Sequence, residues 1–207
     1  MNRFSNKMKI WMIPVWGIGC SIFCACEKEV RYAFATVNGI GYEEVRNFSL
    51  TGSNVPVKMF IWEDYHIAEY ITHLKPLSDG YPIFCITFYL QLQDNNKLKI
   101  GKNYKIGGME QRLFEEFEFS LSDAAVYLKD TLDNLYDGVA ICQESGFEKL
   151  FPLKGNFEIQ AYDTIPGCTD SIYYHGCYEL TGKSPAGDTL IIKSDFKAVE
   201  VKLTYNL

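Results

Sequence analysis

The sequence predicts an all-β fold, an antiparallel β-sandwich or barrel of roughly ten to twelve strands with one or two short helices. From residue 30 onwards, short runs rich in Val, Ile, Thr, Phe and Tyr are separated by clusters of Gly, Asn, Asp and Pro. Such clusters recur at the spacing typical of sandwiches and barrels. No internal repeat or linker divides the chain, so we expect a tether and first strand over 26–36 and one β-rich domain over 37–207.

Each strand is predicted from a β-branched or aromatic run that ends at turn-forming residues. The clearest is 82–93, where Phe84, Ile86 and Phe88 alternate with Cys85 and Thr87 and so predict one buried face. The full set of predicted strands is 30–37, 43–50, 57–62, 82–93, 97–106, 113–120, 124–129, 138–143, 156–162, 171–180, 188–193 and 196–205.

Turn residues predict two hairpins. Residues 94–96 are Asp, Asn and Asn, which tolerate left-handed backbone angles, so strands 82–93 and 97–106 are expected to form a central hairpin. A second hairpin is predicted across 183–187, where Pro185 and Gly187 supply the turn.

Two stretches fit strands less well and predict a short helix or an irregular crossover. Residues 121–136 begin with a candidate helix cap at Ser122. Residues 62–75 place apolar side chains at roughly helical spacing, namely Tyr65, Ala68, Ile71 and Leu74.

The amino terminus has the pattern of a cleaved export signal. A basic stretch over 1–9 precedes an uncharged apolar stretch over 10–25, and Glu27 and Lys28 follow. A membrane-spanning helix needs about 20 apolar residues, so this shorter run predicts a signal peptide over 1–25 rather than an uncleaved anchor.

Cys26 is the predicted lipidation site. It follows the small residue Ala25 and precedes charged residues, whereas Cys24 follows Phe23 and Cys20 would leave an apolar tether. An ordinary secretory signal is the alternative. Lipidation at Cys26 implies a membrane partner through a lipid anchor. The ending FCACEKE resembles lipoproteins of Bacteroidetes-type bacteria, and this resemblance implies the bacterial outer membrane, with display on the cell surface as an option.

Charge excludes one class of partner. The formal net charge is −6, and the first 25 residues hold Arg3, Lys7 and Lys9 without an acid, so the remainder is more acidic still. Nucleic acid is therefore not an expected partner, because its binding normally needs a basic face.

The remaining cysteines leave the disulfide connectivity open. Cys168 and Cys177 flank a turn and form a candidate disulfide, while Cys85 and Cys142 lie in apolar runs typical of buried thiols. No CxxC or HxxxH spacing occurs after the signal, and no metal or other cofactor is expected.

Weak chemical signals compete with plain structural interpretations. His66 and His73 would share a face on a helix but not on a strand, and residues 133–144 match a calcium loop apart from Leu135. A glycosidase-like carboxylate pair could come from Glu43 and Glu44, or from the acidic side chains of 115–118.

Three segments carry a family resemblance: TVNGIGYE, GKNYKI and GCYELTGKSPAGDTLIIKSDF. Together they resemble uncharacterised Bacteroidetes-type lipoproteins with a single β-rich domain of unknown function. The resemblance implies a β-rich domain at the cell envelope and transfers no catalytic residue. The matching positions are Val37, Asn38, Gly39, Gly176, Tyr178, Gly187, Ile192 and Phe196.

Aromatic side chains are the remaining functional lead, because flat rings stack on the C–H faces of sugars. The candidate glycan contacts are Trp62 with Tyr65, and Tyr173 or its neighbour Tyr174. A non-enzymatic binding or accessory module for an extracellular glycan or protein is therefore expected. The alternatives are a hydrolase and a structural component that pairs through an exposed strand edge.

Overall fold

The computed structural model describes residues 32–44, 58–78, 82–92, 97–107, 120–130, 135–146, 149–164 and 172–203. The described part of the chain is mostly strand, which confirms the all-β prediction. One helix, α1 (Leu121–Asp130), and a 3-10 turn (Glu63–Tyr65) lie among the strands. The strands are β1 (Tyr32–Val37), β2 (Ile40–Glu44), β3 (Lys58–Trp62), β4 (Ile67–Pro76), β5 (Phe84–Gln91), β6 (Asn103–Ile106), β7 (Gly138–Glu144), β8 (Leu150–Thr164), β9 (Ile172–Lys183) and β10 (Thr189–Leu203).

These strands form one sheet that closes into a ring, the closed one of the two predicted architectures. The order is β1-β2-β4-β3-β10-β9-β8-β6-β7-β5, and pairings of β1 with β10 and of β4 with β5 complete the ring. Most pairs are antiparallel, but β3 runs parallel to β10 and β6 parallel to β7. Each described strand has hydrogen-bonded neighbours on both sides.

The turn between β1 and β2 ties the start of the domain to its end. Asn38 (φ 51°) and Gly39 (φ 80°) both have left-handed backbone angles, as a tight two-residue hairpin requires. The Asn38 side chain donates to the Thr189 carbonyl at 3.1 Å and accepts from the Ile191 amide at 2.8 Å. Strand β2 precedes most of the predicted 43–50, whose remainder lies outside the described residues.

The hairpin predicted across 183–187 is confirmed. Strands β9 and β10 pair from Lys183 with Thr189 onwards, and the Ser184 amide donates to the Asp188 carbonyl at 2.9 Å. The predicted break between 188–193 and 196–205 is absent, because β9 pairs with β10 on both sides of it.

The predicted central hairpin is wrong. Strand β5 pairs with β4 on one edge and β7 on the other, so neither edge is free for β6. Strand β6 instead pairs antiparallel with β8. The turn residues 93–96 lie outside the described residues.

The two ambiguous stretches resolve in opposite ways. Residues 67–76 are strand β4 rather than a helix, whereas the predicted strand 124–129 lies in α1. The cap of α1 is Ser120 and not Ser122: Ser120 Oγ accepts from the Asp123 amide at 3.2 Å, and Asp123 accepts from the Ser120 amide at 2.8 Å. Most of the predicted strand 113–120 lies outside the described residues.

The interior of the ring is packed with side chains, and aromatic rings occupy its centre. Phe157 lies between Phe88 and Phe196, with ring centroids 5.0 Å and 4.9 Å away. Tyr70 and Tyr178 complete this aromatic centre. Because the alternate side chains of each strand fill the ring, polar side chains are left on its outer face.

Helix α1 covers part of that outer face and makes a second, smaller core. Ala124 and Leu128 of the helix pack against Ile67, Tyr89 and Ile141, which point outward from β4, β5 and β7. These strands are therefore buried on both faces, which explains why their sequences do not alternate cleanly.

Candidate functional site

The outer face of the sheet carries a trough of about 500 Å³, bordered by β1, β6, β8, β9 and β10. Two features that typically bend a strand flank Glu158 in β8. They are Gly155 (φ 153°) and a register shift between Ile159 and Ala161. The trough combines strands from both ends of the chain, and we define it by its two rows of outward side chains.

The first row crosses five strands. Asn103 of β6 pairs with Glu158 of β8, which pairs with Cys177 of β9, and Asp195 of β10 lies between Cys177 and Phe34 of β1. Neighbouring strands lie about 4.8 Å apart, so the row is about 19 Å long. It has an amide at one end, a phenyl ring that is 57% exposed at the other, and two carboxylates between them.

The second row lies beside the first. Asn156, Glu179, Lys193 and Thr36 are cross-strand neighbours on β8, β9, β10 and β1. Lys193 Nζ forms an ion pair with Glu179 Oε1 at 2.8 Å. Alternate residues of a strand lie about 7 Å apart, so the trough is narrow along the strands and long across them.

The thiol in the middle of the trough is not activated. Burial raises the pKa of Cys177, and the negative charges of Glu158 and Asp195 raise it further. Gln160 Nε2 donates to Cys177 Sγ at 3.3 Å. Thiol nucleophiles need a lowered pKa, so Cys177 is suited to packing rather than to attack on a substrate.

A second polar cluster lies on the outer face of β3, β4 and β5. Trp62 Nε1 donates to Glu69 Oε2 at 2.9 Å, and Tyr89 also hydrogen-bonds the Glu69 carboxylate. Burial raises the pKa of Glu69, and the two hydrogen bonds partly oppose that rise. Phe60 packs beside Trp62, with ring centroids 6.4 Å apart. The Trp62 ring is thus held in place by a half-buried carboxylate.

The predicted glycan contacts differ in how much ring they present. Trp62 ends β3 and is half-buried, and Tyr65 follows in the 3-10 turn with 39% exposure. Tyr173 is only 8% exposed, and Tyr174 points inward and donates a hydrogen bond to Glu200. The burial leaves Trp62 and Tyr65 as the accessible members, and glycan contact by any of the four stays a prediction.

The cysteine predictions fall partly outside the described residues, where both Cys26 and Cys168 lie. Cys177 is a free thiol among the residues that are described, and its pairing with Cys168 stays a prediction. Cys142 is buried, as expected, and Cys85 is half-buried. Burial raises the pKa of both, that of Cys85 to about 11.

The weak metal candidates are not brought together. His66 lies in the turn before β4 and His73 near the far end of that strand, about 23 Å away at strand spacing. The calcium-like pattern 133–144 continues into β7, and Asp137 Oδ1 forms an ion pair with Lys102 Nζ at 2.6 Å. Over the described ranges, no group of three or more His, Cys, Asp or Glu side chains could hold a metal ion.

Of the predicted carboxylate pairs, only the Glu43 side chain lies among the described residues, so both pairs stay predictions. Glu43 forms an ion pair with Lys75 at 3.0 Å. The acidic residues of 115–118 lie outside the described residues, as does the side chain of Glu44.

Comparison of the chain with protein families, with curated proteins and with solved structures finds no match. No residue role is therefore transferred from a relative. Among the described helices, none is long and apolar enough to cross a membrane.

The sequence did not predict the trough, although the predicted hairpin of β9 and β10 already contains half of its side chains. The predicted hairpin of β9 and β10 places Cys177 beside Asp195 and Glu179 beside Lys193 once its turn is known. The other half depends on β1, β6 and β8, whose pairings join distant parts of the chain.

Proposed function

We propose that this protein is a cell-envelope lipoprotein whose closed sheet binds an extracellular glycan in the trough, without catalysing a reaction. The supporting observation is one continuous surface that combines the exposed Phe34 ring with amides and carboxylates. Sugars need both kinds of contact, a flat apolar surface for their C–H faces and oriented polar groups for their hydroxyls.

The rigidity of the trough supports binding. Its side chains project from strands that are paired on both sides, so little conformational freedom is lost when a ligand binds. Asn103 and Asn156 can both donate and accept hydrogen bonds, and Glu158 and Asp195 can accept them from hydroxyl groups. Such groups can fix the orientation of a ligand that stacks on Phe34.

The Trp62 cluster is a weaker candidate for the same role. Its indole N–H is already bonded to Glu69, and helix α1 packs over Tyr89. Less polar surface is thus left there for a sugar to contact.

A hydrolase is the second candidate, and one observation favours it. Glu158 and Asp195 lie two strands apart on either side of Cys177, which places their backbones about 10 Å apart. Carboxyl groups of inverting glycosidases are separated by about 6.5 to 9.5 Å. The assembly alternative has less support, because each described strand already has neighbours on both of its edges.

The first test measures glycan binding by the full-length protein in detergent micelles. An array of host and dietary glycans is expected to identify a ligand with saturable binding. Phe34→Ala should weaken that binding about tenfold, the equivalent of about 1.4 kcal/mol, because the apolar stacking surface is removed.

Tyr65→Ala is the matched control, since it removes an exposed ring from a different face. It should leave the affinity unchanged. If Tyr65→Ala or Trp62→Ala abolishes binding and Phe34→Ala does not, the ligand site lies at the Trp62 cluster instead. Release of new reducing ends from the bound glycan would indicate the hydrolase.

The second test concerns the anchor, which rests on the signal-peptide pattern of 1–25 and on the small residue Ala25 before Cys26. When cells that express the protein are grown with radioactive palmitate, the protein should become labelled. Cys26→Ala should abolish the label and release the protein from the membrane fraction. Cys20→Ala is the control and should keep both. Loss of the label from the Cys20 variant alone would move the anchor to Cys20.

A further inference from the structure

The long axis of the trough runs across the strands. Its first row spans five strands over about 19 Å, whereas its two rows are only about 7 Å apart along the strands. A single sugar could contact Phe34 or Asn103 but not both. The shape therefore fits a single linear chain of several sugars.

The charge of the trough selects among such chains. Its lining contains the carboxylates of Glu158, Glu179 and Asp195 and one cation, Lys193. Lys193 is already paired with Glu179, and among the described residues neither Glu158 nor Asp195 forms an ion pair. An acidic sugar would bring its own carboxylate against these uncompensated charges.

Cations near the trough do not reverse this balance. Lys105 of β6 pairs with Asn156 and so continues the second row to the β6 end, outside the residues that line the trough. Lys197 lies one row beyond Asp195 on β10, beside His175. None of the three lines the trough, and His175 is bonded to Asp163 at 2.8 Å. Burial raises the pKa of the central thiol, Cys177, and the negative charges of Glu158 and Asp195 raise it further.

We propose that the trough takes a linear oligosaccharide without acidic groups, lying across the strands from Phe34 to Asn103. This inference rests on the proposed glycan-binding function and adds the length, direction and charge of the ligand. Phe34 stacks on one end of the chain, Asn103 bonds the other, and the two carboxylates accept hydrogen bonds from hydroxyls in between.

The experiment compares two series of probes on the full-length protein, by calorimetric titration. One series is neutral manno- and cello-oligosaccharides from the monosaccharide to the hexasaccharide, and the other is the matching oligomers with a carboxylate on each sugar. Affinity for the neutral series should rise with length and then level off. The acidic series should bind at least about tenfold more weakly at low salt, and added salt should reduce this difference in affinity between the two series.

One variant tests where the oligosaccharide lies, and a second, with its control, tests the charge preference of the trough. Asn103→Ala should lower the affinity for the hexasaccharide about fivefold and leave the affinity for the disaccharide unchanged, because only the longer chain reaches Asn103. Glu158→Gln should bring the affinities of the acidic and neutral series closer together. Glu63→Gln, which removes a carboxylate outside the trough, should leave their ratio as it is.

The outcomes separate this inference from the function on which it rests. If the monosaccharide binds as tightly as the hexasaccharide, or the acidic series as tightly as the neutral one, the inference is wrong but glycan binding stands. If the protein binds a glycan from the array and no member of the neutral series, the linear chain is likewise wrong. Absence of binding to every glycan overturns the proposed function itself.

Discussion

Phe157→Ala is expected to destabilise the protein by about 3 to 5 kcal/mol, the usual cost of removing a buried phenyl ring. Phe157 is fully buried at the centre of the ring of strands, with Phe88, Phe196, Tyr70 and Tyr178 around it. Alanine would leave a cavity that five strands can fill only by moving together. Since a domain is stable by about 5 to 15 kcal/mol, this loss is a large share of the total.

Urea denaturation followed by far-ultraviolet circular dichroism measures the effect. Phe34→Ala is the matched control: the same chemical change on the outer face should alter the free energy of unfolding by about 0.5 kcal/mol or less. If both variants unfolded at the same urea concentration, Phe157 could not lie in the core. The pair also separates stability from binding, because only Phe34→Ala is expected to weaken glycan binding in a protein that stays folded.

Local patterns were sufficient for the strands with one exposed face. In β9 and β10 the inward residues Tyr178, Leu180 and Ile192 alternate with the outward residues Glu179 and Lys193, and the turn between them has its own chemistry. Asn38 and Gly39, which were given only as positions of the family resemblance, likewise form a tight turn with left-handed backbone angles. Alternation and turn chemistry are both properties of neighbouring residues, so a single sequence carries them.

The pattern of β4 failed because both of its faces are covered. Ala68 and Tyr70 point into the ring, while Ile67 points outward beneath α1. A strand buried on both sides loses its alternation, and the remaining apolar spacing resembled that of a helix. For the stretch that covers it, 121–136, the sequence left a short helix, an irregular crossover and a strand over 124–129 open, and the helix is the one that forms.

The prediction of a central hairpin between 82–93 and 97–106 was wrong for a different reason. Turn residues make a hairpin feasible, but the partners of β5 and β6 are decided by competition among all strands for a closed sheet. In the structure β5 pairs with β4 and β7, and β6 with β8. The first row of the trough depends on this long-range order, since Asn103 reaches Glu158 only through the pairing of β6 with β8. The trough therefore could not be predicted from sequence spacing alone.

Gly155→Ala is expected to destabilise the protein by about 3 kcal/mol or more, because it combines steric overlap with backbone strain. A Cβ atom at this position would lie 1.9 Å from the carbonyl oxygen of Glu179 on the neighbouring strand. The backbone angle of Gly155, φ 153°, is also one that other residues rarely adopt. Strands β8 and β9 would have to move apart at the point where they form the trough.

Gly146→Ala provides the comparison that isolates the overlap. Gly146 has φ 88°, but nothing lies within 4 Å of its Cβ position, so alanine there should cost only about 1 kcal/mol of backbone strain. Urea denaturation of both variants measures the difference, and equal midpoints would contradict the close approach of β8 and β9. Because Glu179 carries the ion pair with Lys193, Gly155→Ala should also weaken glycan binding under conditions where it is still folded, whereas Gly146→Ala should not.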